Sequence, residues 1–218
     1  MSLSQFQEHR QRWGWGKALH IVLMNRLQQH LGMHFFVIQS RPLNTDPPVP
    51  QIPDGDFVGN LDIAGLHATG TNPELQLDLD DAAEKIARGD ACFGYVTDSK
   101  LVAYTWLAQS TTRMEEGLWV NFPAGFSYGH AAFTLPTHRG RRLQQLVVNE
   151  CDRWLTAHGH THNIDYIRVQ NHASLLADRR YGNLPIGYAG FIKWFGKVWP
   201  WRSPALSKIG FYLYKPTS

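Results

Sequence analysis

The sequence has few cysteines and no long apolar run, and both shortages narrow the classes of protein that it can encode. Only Cys92 and Cys151 occur in 218 residues, so neither a disulfide framework nor a paired-cysteine metal motif is expected. No apolar segment reaches the roughly 20 residues that span a bilayer, and residues 1–12 are too polar for a signal peptide. We therefore expect a cytoplasmic protein with buried thiols and no transmembrane segment.

Charge of neither sign dominates the chain. Lys and Arg total 21 against 18 Asp and Glu, a net charge of +3. The basic residues concentrate at 139–142, 179–180 and 193–208, patches that suit phosphate groups, nucleic acid or a membrane surface. Zinc-finger spacing, an RNP run and a basic helix with heptads are all missing, so no nucleic-acid partner is expected.

The length of the chain fits one domain with an N-terminal extension. In residues 3–31, Gly14 and Gly16 lie among tryptophans, and the periodic segment after them predicts a helix that stops at Gly32. A strand at 34–40 and a proline-rich loop or linker over 41–59 follow. We assign 1–58 to an extension packed on, or part of, the main domain, and 59–218 to the main domain. The helix has a core-packing face in this interpretation, which we favour over a partner or membrane helix; that face comprises Trp15, Leu19, Val22, Leu23, Leu27 and Leu31.

The rest of the chain reads as a polar helix, several strands and two further helices. Strands are predicted at 91–95, 101–107, 118–122, 126–135, 163–169, 186–194 and 209–214. The segment 195–204 reads as a loop rich in Trp and Pro. We expect its aromatic residues to pack in the core, although docking of an apolar substrate or contact with a membrane interface are alternatives.

A basic turn lies between a predicted strand and a predicted helix. Pro136 stops the strand, and the run 137–143 (Thr-His-Arg-Gly-Arg-Arg-Leu) leads into the helix. The first N–H groups of a helix have no intrahelical partner and carry partial positive charge, so they bind phosphate once a residue such as Gly140 lets the backbone come close. The alternative is an ordinary strand-to-helix connection with solvated arginines.

A second motif follows the next predicted strand, where Asn171, Ser174 and Gly182 occur in order. Together the two segments resemble the GCN5-related N-acetyltransferase (GNAT) superfamily. Its acyl-CoA site combines a Gln/Arg-x-x-Gly-x-Gly/Ala loop after one strand with an Asn-x-x-Ala/Ser motif after the next. The resemblance spans 91–187, and it departs from the family at Arg142 and Gln144, which stand where the two motif glycines belong.

The resemblance implies an α/β (α+β) fold of the acyl-CoA N-acyltransferase type, with a mixed, mostly antiparallel central sheet flanked by helices. It implies transfer of an acetyl group from acetyl-CoA, or another acyl-CoA, to a small-molecule or peptide amine. A long-chain acyl donor and an inactive CoA-binding or interaction module are the alternatives, and a homodimer stays open. The implied cofactor contacts are Phe133, Thr134, Leu135, Arg139, Gly140, Arg141, Arg142, Leu143, Gln144, Asn171 and Ser174.

Proton transfer needs a base for the amine and an acid for the leaving thiolate. The base candidates are His130, whose ordinary pKa suits neutral pH, Glu116 and Glu115. Asp178 occupies the position of the family's tyrosine acid and is a poor acid because it is ionised at pH 7. Tyr181 is the acid candidate, and Tyr188 is the second option.

Two groups of polar residues can be explained by local structure as well as by ligand binding. Asn171 follows a strand and precedes a helix, so it also suits a helix cap. His158, His160 and His162 have the look of a metal-binding run, but they flank a helix stop at Gly159. We expect these histidines to be solvated and predict no metal site.

Overall fold

The computed structural model describes residues 3–47, 49 and 51–216, so Pro48 and Pro50 of the predicted proline-rich segment lie outside the described residues. The chain forms two compact units. Unit 1 comprises Met1–Ser40, Arg113–Asn121 and Tyr166–Ser218, and unit 2 comprises Arg41–Thr112 and Phe122–Asp165. Among the described residues, none of the helices combines the length and the apolar character that a membrane span requires.

Both helices and strands contribute extensively to the fold. The helices are α1 (Leu3–Trp13), α2 (Trp15–Leu31), α3 (Ile63–Thr69), α4 (Leu79–Ala87), α5 (Leu143–Ala157), α6 (His172–Arg180) and α7 (Pro204–Lys208). The strands are β1 (Met33–Pro42), β2 (Phe57–Leu61), β3 (Ala91–Thr97), β4 (Lys100–Ala108), β5 (Thr112–Arg113), β6 (Trp119–Asn121), β7 (Phe126–Thr134), β8 (His162–Arg168), β9 (Leu184–Trp194), β10 (Lys197–Arg202) and β11 (Tyr212–Tyr214).

Unit 2 is a sheet covered by α5. Its strands follow the order β2-β3-β4-β7 with antiparallel pairing, and the first half of β8 pairs with β7 in parallel. Asp98 and Ser99 both have positive φ, which matches the two-residue turn that best fits the twist of a hairpin. β3 and β4 are almost continuously buried, and the core of this unit includes Phe93, Trp106 and Val147.

Unit 1 contains α1, α2, α6 and α7 with the strands β1, β9 and β10. β9 pairs with β1 on one side and with β10 on the other, antiparallel in both cases, and β11 pairs with β6. Phe36, Phe191 and Phe211 are fully buried here. The predicted α+β class, with a mixed, mostly antiparallel sheet flanked by helices, is confirmed.

The predicted N-terminal helix is confirmed as α2, which begins at Trp15 and ends at Leu31, but the face predicted to pack is wrong. Gly14, whose φ of 81° is outside the helical region, separates α2 from α1. The predicted core face is largely exposed, with Trp15 60%, Leu19 56% and Leu23 53% exposed, whereas the buried residues of α2 are Ala18 and Ile21. The periodicity of apolar residues predicted the position of the helix, but it did not predict which face packs against the rest of unit 1.

The predicted loop over 195–204 is also wrong, because β10 lies within it. Phe195 and Gly196 have φ of 46° and 71° and form a tight turn that lets Lys197–Arg202 pair with β9. Pro200 is tolerated because β10 is an edge strand, where one side of the backbone needs no partner. Trp201 packs against Phe35 with ring centroids 5.6 Å apart. The predicted core packing is wrong for Phe195 and Trp199, which are 90% and 58% exposed.

Candidate cofactor site

The basic turn has a compact left-handed conformation. β7 ends at Thr134, a short 3-10 turn covers Pro136–His138, and the backbone then passes through Gly140 at φ 80° and Arg142 at φ 59° before α5 begins. Glycine adopts this conformation without a steric penalty. No atom lies within 4 Å of the position that a Cβ of Gly140 would occupy, so the backbone here is open to a ligand.

No side chain of the first turn of α5 neutralises the partial positive charge at the N-terminus of this helix. Arg142 is the capping residue and makes no side-chain cap hydrogen bond, and the first turn contains no acidic residue. The first hydrogen bonds into the helix run from the N–H groups of Gln145 and Leu146 to the carbonyl of Arg142. The N–H groups of Leu143 and Gln144 precede these bonds and, together with the exposed guanidinium groups of the turn, form a positive end that suits a phosphate.

Side chains hold this turn against the sheet of unit 2. The hydroxyl of Thr134 donates to Gln144 Oε1 at 3.2 Å, and Gln144 Nε2 donates to the carbonyl of Tyr104 at 3.5 Å. Arg139 Nε donates to the carbonyl of Thr134 at 3.1 Å, and its guanidinium lies over the ring of Phe133. Gln144 therefore uses its side chain for positioning, which leaves its backbone N–H for a ligand.

β7 has a bulge close to the turn. In its pairing with β4, Tyr104 lies opposite Phe133 and Trp106 lies opposite His130, so two residues of β7 face the single residue Thr105. The extra residue is Ala131, with φ 49°. Bulges interrupt the ladder and redirect strands next to active sites.

The side of β7 that faces β8 is paired over only part of its length. The parallel register runs from Phe126 opposite His162 to Gly129 opposite Asp165, while β7 continues to Thr134. Ala131 and Ala132 are exposed. An exposed strand edge of this kind binds an extended ligand through backbone hydrogen bonds.

His130 lies in an aromatic and acidic environment in unit 2. Its ring stacks on Tyr128 and Trp106 with centroids 5.7 and 6.5 Å away, and its side chain is 8% exposed. Nε2 lies 3.6 Å from Asp90 Oδ2, and Asp90 also accepts a hydrogen bond from Thr112. Burial lowers the pKa of His130 although Asp90 acts in the opposite direction, so the imidazole is neutral at pH 7.

This burial makes the stability depend on pH. Because the pKa of His130 is lower in the folded than in the unfolded chain, the unfolded state binds the proton first as pH falls below about 6.5. Acidification therefore removes stability until the folded-state pKa is passed. In His130→Gln, urea unfolding should show a smaller loss of stability between pH 7.5 and pH 5.5 than in the wild type. An equal loss in both proteins would contradict the assigned direction.

The other predicted site residues belong to unit 1. Asn171 caps α6, since its Oδ1 accepts from the N–H of Ser174 at 3.2 Å, so the capping role is confirmed. Glu116 has φ 58° and pairs with Lys193 at 2.9 Å. Burial raises the pKa of Tyr181, which therefore stays protonated at neutral pH.

The structure shows a polar cluster around Glu115 that the sequence did not predict, because only Glu115 itself was recognised as a candidate site residue. Arg168 donates to the carboxylate of Glu115, and His34 lies 4.0 Å from the same carboxylate oxygen. Burial raises the pKa of Tyr166, and Glu115 adds to this effect. His34 and Arg168 are far apart in the chain, so only the fold brings them together.

The two remaining candidates for the acid also lie in unit 1. Asp178 accepts a hydrogen bond from Gln39 Nε2 at 3.4 Å, and Tyr188 is 53% exposed.

The three histidines at the end of α5 have separate partners. His158 stacks on Trp154 with centroids 3.9 Å apart, His160 Nδ1 lies 3.2 Å from the carbonyl of Phe126, and His162 stacks on that residue's ring. Within 3–47, 49 and 51–216, no group of three or more His, Cys, Asp or Glu side chains is arranged to hold a metal ion.

Comparison with known proteins gives distant structural matches. No protein-family model matches this sequence, and no curated protein does. The chain is similar to a tandem GNAT protein from the clavulanic acid biosynthesis pathway, with 16% identity, TM-score 0.49, and coverage of 89% of this chain and 59% of that one. It is similar to a GNAT-family acetyltransferase from Novosphingobium aromaticivorans, with 15% identity, TM-score 0.44, and coverage of 85% and 66%.

A further match is a GCN5-related N-acetyltransferase from Kribbella flavida, with 16% identity, TM-score 0.41, and coverage of 90% of this chain and 64% of that one. The chain spans roughly three fifths of the length of the structures it matches. Several of these proteins carry the name of the superfamily that the sequence motifs resemble.

Proposed function

We propose that this protein is an N-acetyltransferase that transfers an acetyl group from acetyl-CoA to an amine. The observation that carries the proposal is the uncapped, positively charged N-terminus of α5, placed directly after a bulged strand with an exposed edge. A phosphate-bearing ligand with an extended amide chain matches both features. A dinucleotide, which has phosphates but no extended amide chain, would use the positive N-terminus of α5 and leave the exposed strand edge without a partner.

In this proposal the residues of the turn hold the cofactor. The N–H groups of Gly140, Leu143 and Gln144 and the three guanidinium groups bind the pyrophosphate, and the backbone of Phe133 and Thr134 pairs with the pantetheine amides. Leu135 only supports this segment, because its N–H donates to the carbonyl of Val102 and its carbonyl accepts from the N–H of His138. Acetyl-CoA supplies an activated thioester when bound. A backbone N–H in the bulged segment of β7 is the donor for the developing oxyanion. The contacts of Asn171 and Ser174 with the cofactor stay predictions from the resemblance.

His130 is the proposed base, because its lowered pKa keeps the imidazole neutral and able to accept a proton at pH 7. Asp90, 3.6 Å away, is placed to stabilise the imidazolium that this transfer forms. Tyr181 is the proposed acid on the resemblance alone, since its hydroxyl is protonated at neutral pH and burial raises its pKa further. Glu116 is the second candidate for the base.

His130→Ala should lower the turnover number by about 10²- to 10⁴-fold, the usual contribution of a positioned base, while the Kd for acetyl-CoA changes little. His162→Ala is the matched control, since it also removes a stacked imidazole from unit 2. Turnover is followed by thiol release, and Kd by calorimetry, after thermal melts show that both variants are folded. Unaltered turnover in His130→Ala would remove this residue as the base.

Thiol release with acetyl-CoA and longer acyl-CoA donors, tested against a panel of small amines and peptides, separates the alternatives. Acetyl transfer supports the proposal, and a preference for long chains assigns the long-chain activity instead. Saturable CoA binding without transfer to any acceptor identifies an inactive CoA-binding module. A cytoplasmic location, where acetyl-CoA is available, and a homodimer belong to the proposal as well.

A further inference from the structure

The helices α1 and α2 expose an apolar surface. A groove of about 470 Å³ lies on these two helices. Its apolar lining consists of Leu3, Phe6, Leu19 and Val22, and its polar lining consists of Asn25, Arg26, Gln29 and His30. Soluble surfaces seldom expose large apolar side chains in one continuous patch. Leu3 is 80% exposed, and exposed apolar residues recur at Trp15, Leu19, Leu23 and Leu31 of α2.

Basic side chains surround this apolar surface. Arg10 lies over the ring of Trp15 at 4.9 Å, and Lys17 lies over the ring of Trp13 at 5.4 Å. Residues 3–31 contain four Lys and Arg and a single acid, Glu8. Exposed tryptophan and leucine beside Lys and Arg are features of protein surfaces that contact a membrane interface.

The β9–β10 hairpin presents a second apolar projection in the same unit. Phe195 at its turn is 90% exposed, and Trp194 and Trp199 are 56% and 58% exposed. Lys197 follows the turn and is exposed. The end of α2 adjoins this hairpin, because the N–H of Lys193 donates to the carbonyl of Gly32 at 2.9 Å.

Positive charge is concentrated in two segments of the chain, residues 3–31 and residues 183–216. Residues 183–216 contain five Lys and Arg and no acid, so the two segments together hold nine basic residues and one acidic residue. The rest of the chain holds twelve basic and seventeen acidic residues and is therefore net negative. A surface that combines exposed tryptophan with positive charge is complementary to anionic lipid headgroups above an acyl boundary.

We propose that α1, α2 and the β9–β10 hairpin form a docking surface for an anionic lipid bilayer. Phe195 and the exposed tryptophans enter the interfacial region, and the lysines and arginines contact the headgroups. The protein binds the membrane peripherally through this surface. This inference is independent of the acetyl transfer proposed above, because it uses none of the residues assigned to that reaction.

Co-sedimentation with vesicles tests the inference. The full chain should bind vesicles of phosphatidylcholine with about 30% phosphatidylglycerol and should bind pure phosphatidylcholine at least about tenfold more weakly, with the difference reduced at high salt. The double variant Phe195→Ser, Lys197→Glu should lose about tenfold or more of the binding to anionic vesicles. Phe57→Ser is the control, since it removes another exposed phenylalanine, in unit 2.

Binding to neither vesicle, or equal loss in the double variant and in Phe57→Ser, would overturn the inference. Sedimentation velocity of the free protein supplies the other decisive outcome. A concentration-dependent dimer that Phe195→Ser, Lys197→Glu abolishes, without vesicle binding by the wild type, would assign the surface to a second copy of the chain and reject the membrane. Circular dichroism melts establish that all variants are folded.

Discussion

Gly140→Asp is expected to weaken acetyl-CoA binding by roughly tenfold to a hundredfold or more, because one or two charge-assisted hydrogen bonds are lost at about 1.5–3 kcal/mol each. The carboxylate would lie where the backbone is open and would repel the pyrophosphate in front of the N-terminus of α5. It would also pair with the neighbouring arginines and withdraw them from the ligand. Calorimetric titration measures the change.

Gly159→Asp is a close control for this experiment. Gly159 also has φ 80° and no atom within 4 Å of a Cβ position, but it follows the C-terminal end of α5. The two variants therefore bear similar backbone strain from a non-glycine residue in the left-handed region. Only Gly140→Asp should lose affinity. Equal affinities in the two variants and the wild type would mean that the Arg-Gly turn does not bind the pyrophosphate.

Asp152→Ala is expected to lower the free energy of unfolding by about 3–5 kcal/mol, the usual cost of leaving one member of a buried ion pair unpaired. Arg41 Nη1 and Nη2 donate to the two carboxylate oxygens of Asp152, each at 2.6 Å, and both side chains are less than one tenth exposed. The backbone N–H of Asn44 donates to the same carboxylate at 3.2 Å. This pair attaches the end of β1 to α5 within unit 2.

Glu150→Ala provides the comparison on the same helix. Glu150 pairs with Arg153 one turn away, and both side chains are more than a quarter exposed, so its loss should cost no more than about 1 kcal/mol. Urea unfolding of the two variants gives both free energies. Similar values for Asp152→Ala and Glu150→Ala would contradict the structural role of the buried pair.

The elements around the candidate site were largely predictable because their signals are local. Pro136 ends the preceding strand, the basic turn follows, and the spacing of Leu143, Val147 and Cys151 defines the buried face of α5. Periodicity at 3.6 residues places these side chains on one side of the helix. The bulge at Ala131 was not predictable, because it depends on the register with β4 and alanine has no preference for a positive φ.

The missed features depend on contacts between distant residues. β2 begins at Phe57 in a segment that reads as a loop, and it forms because β3 offers a partner along its edge. The face of α2 that packs was misassigned because larger apolar residues lie beside the small Ala18 that contacts the core. The burial of His130 beside Asp90 likewise joins positions forty residues apart. The spacing of residues along the sequence does not predict such contacts.

The basic turn of unit 2 is proposed to bind an acyl-CoA. The most direct test is calorimetric titration of the purified protein with acetyl-CoA, beside free CoA and a long-chain acyl-CoA. We expect saturable binding of acetyl-CoA with one site per chain, strongly weakened in Gly140→Asp and retained in Gly159→Asp. Absence of heat and of binding with all three ligands would contradict it.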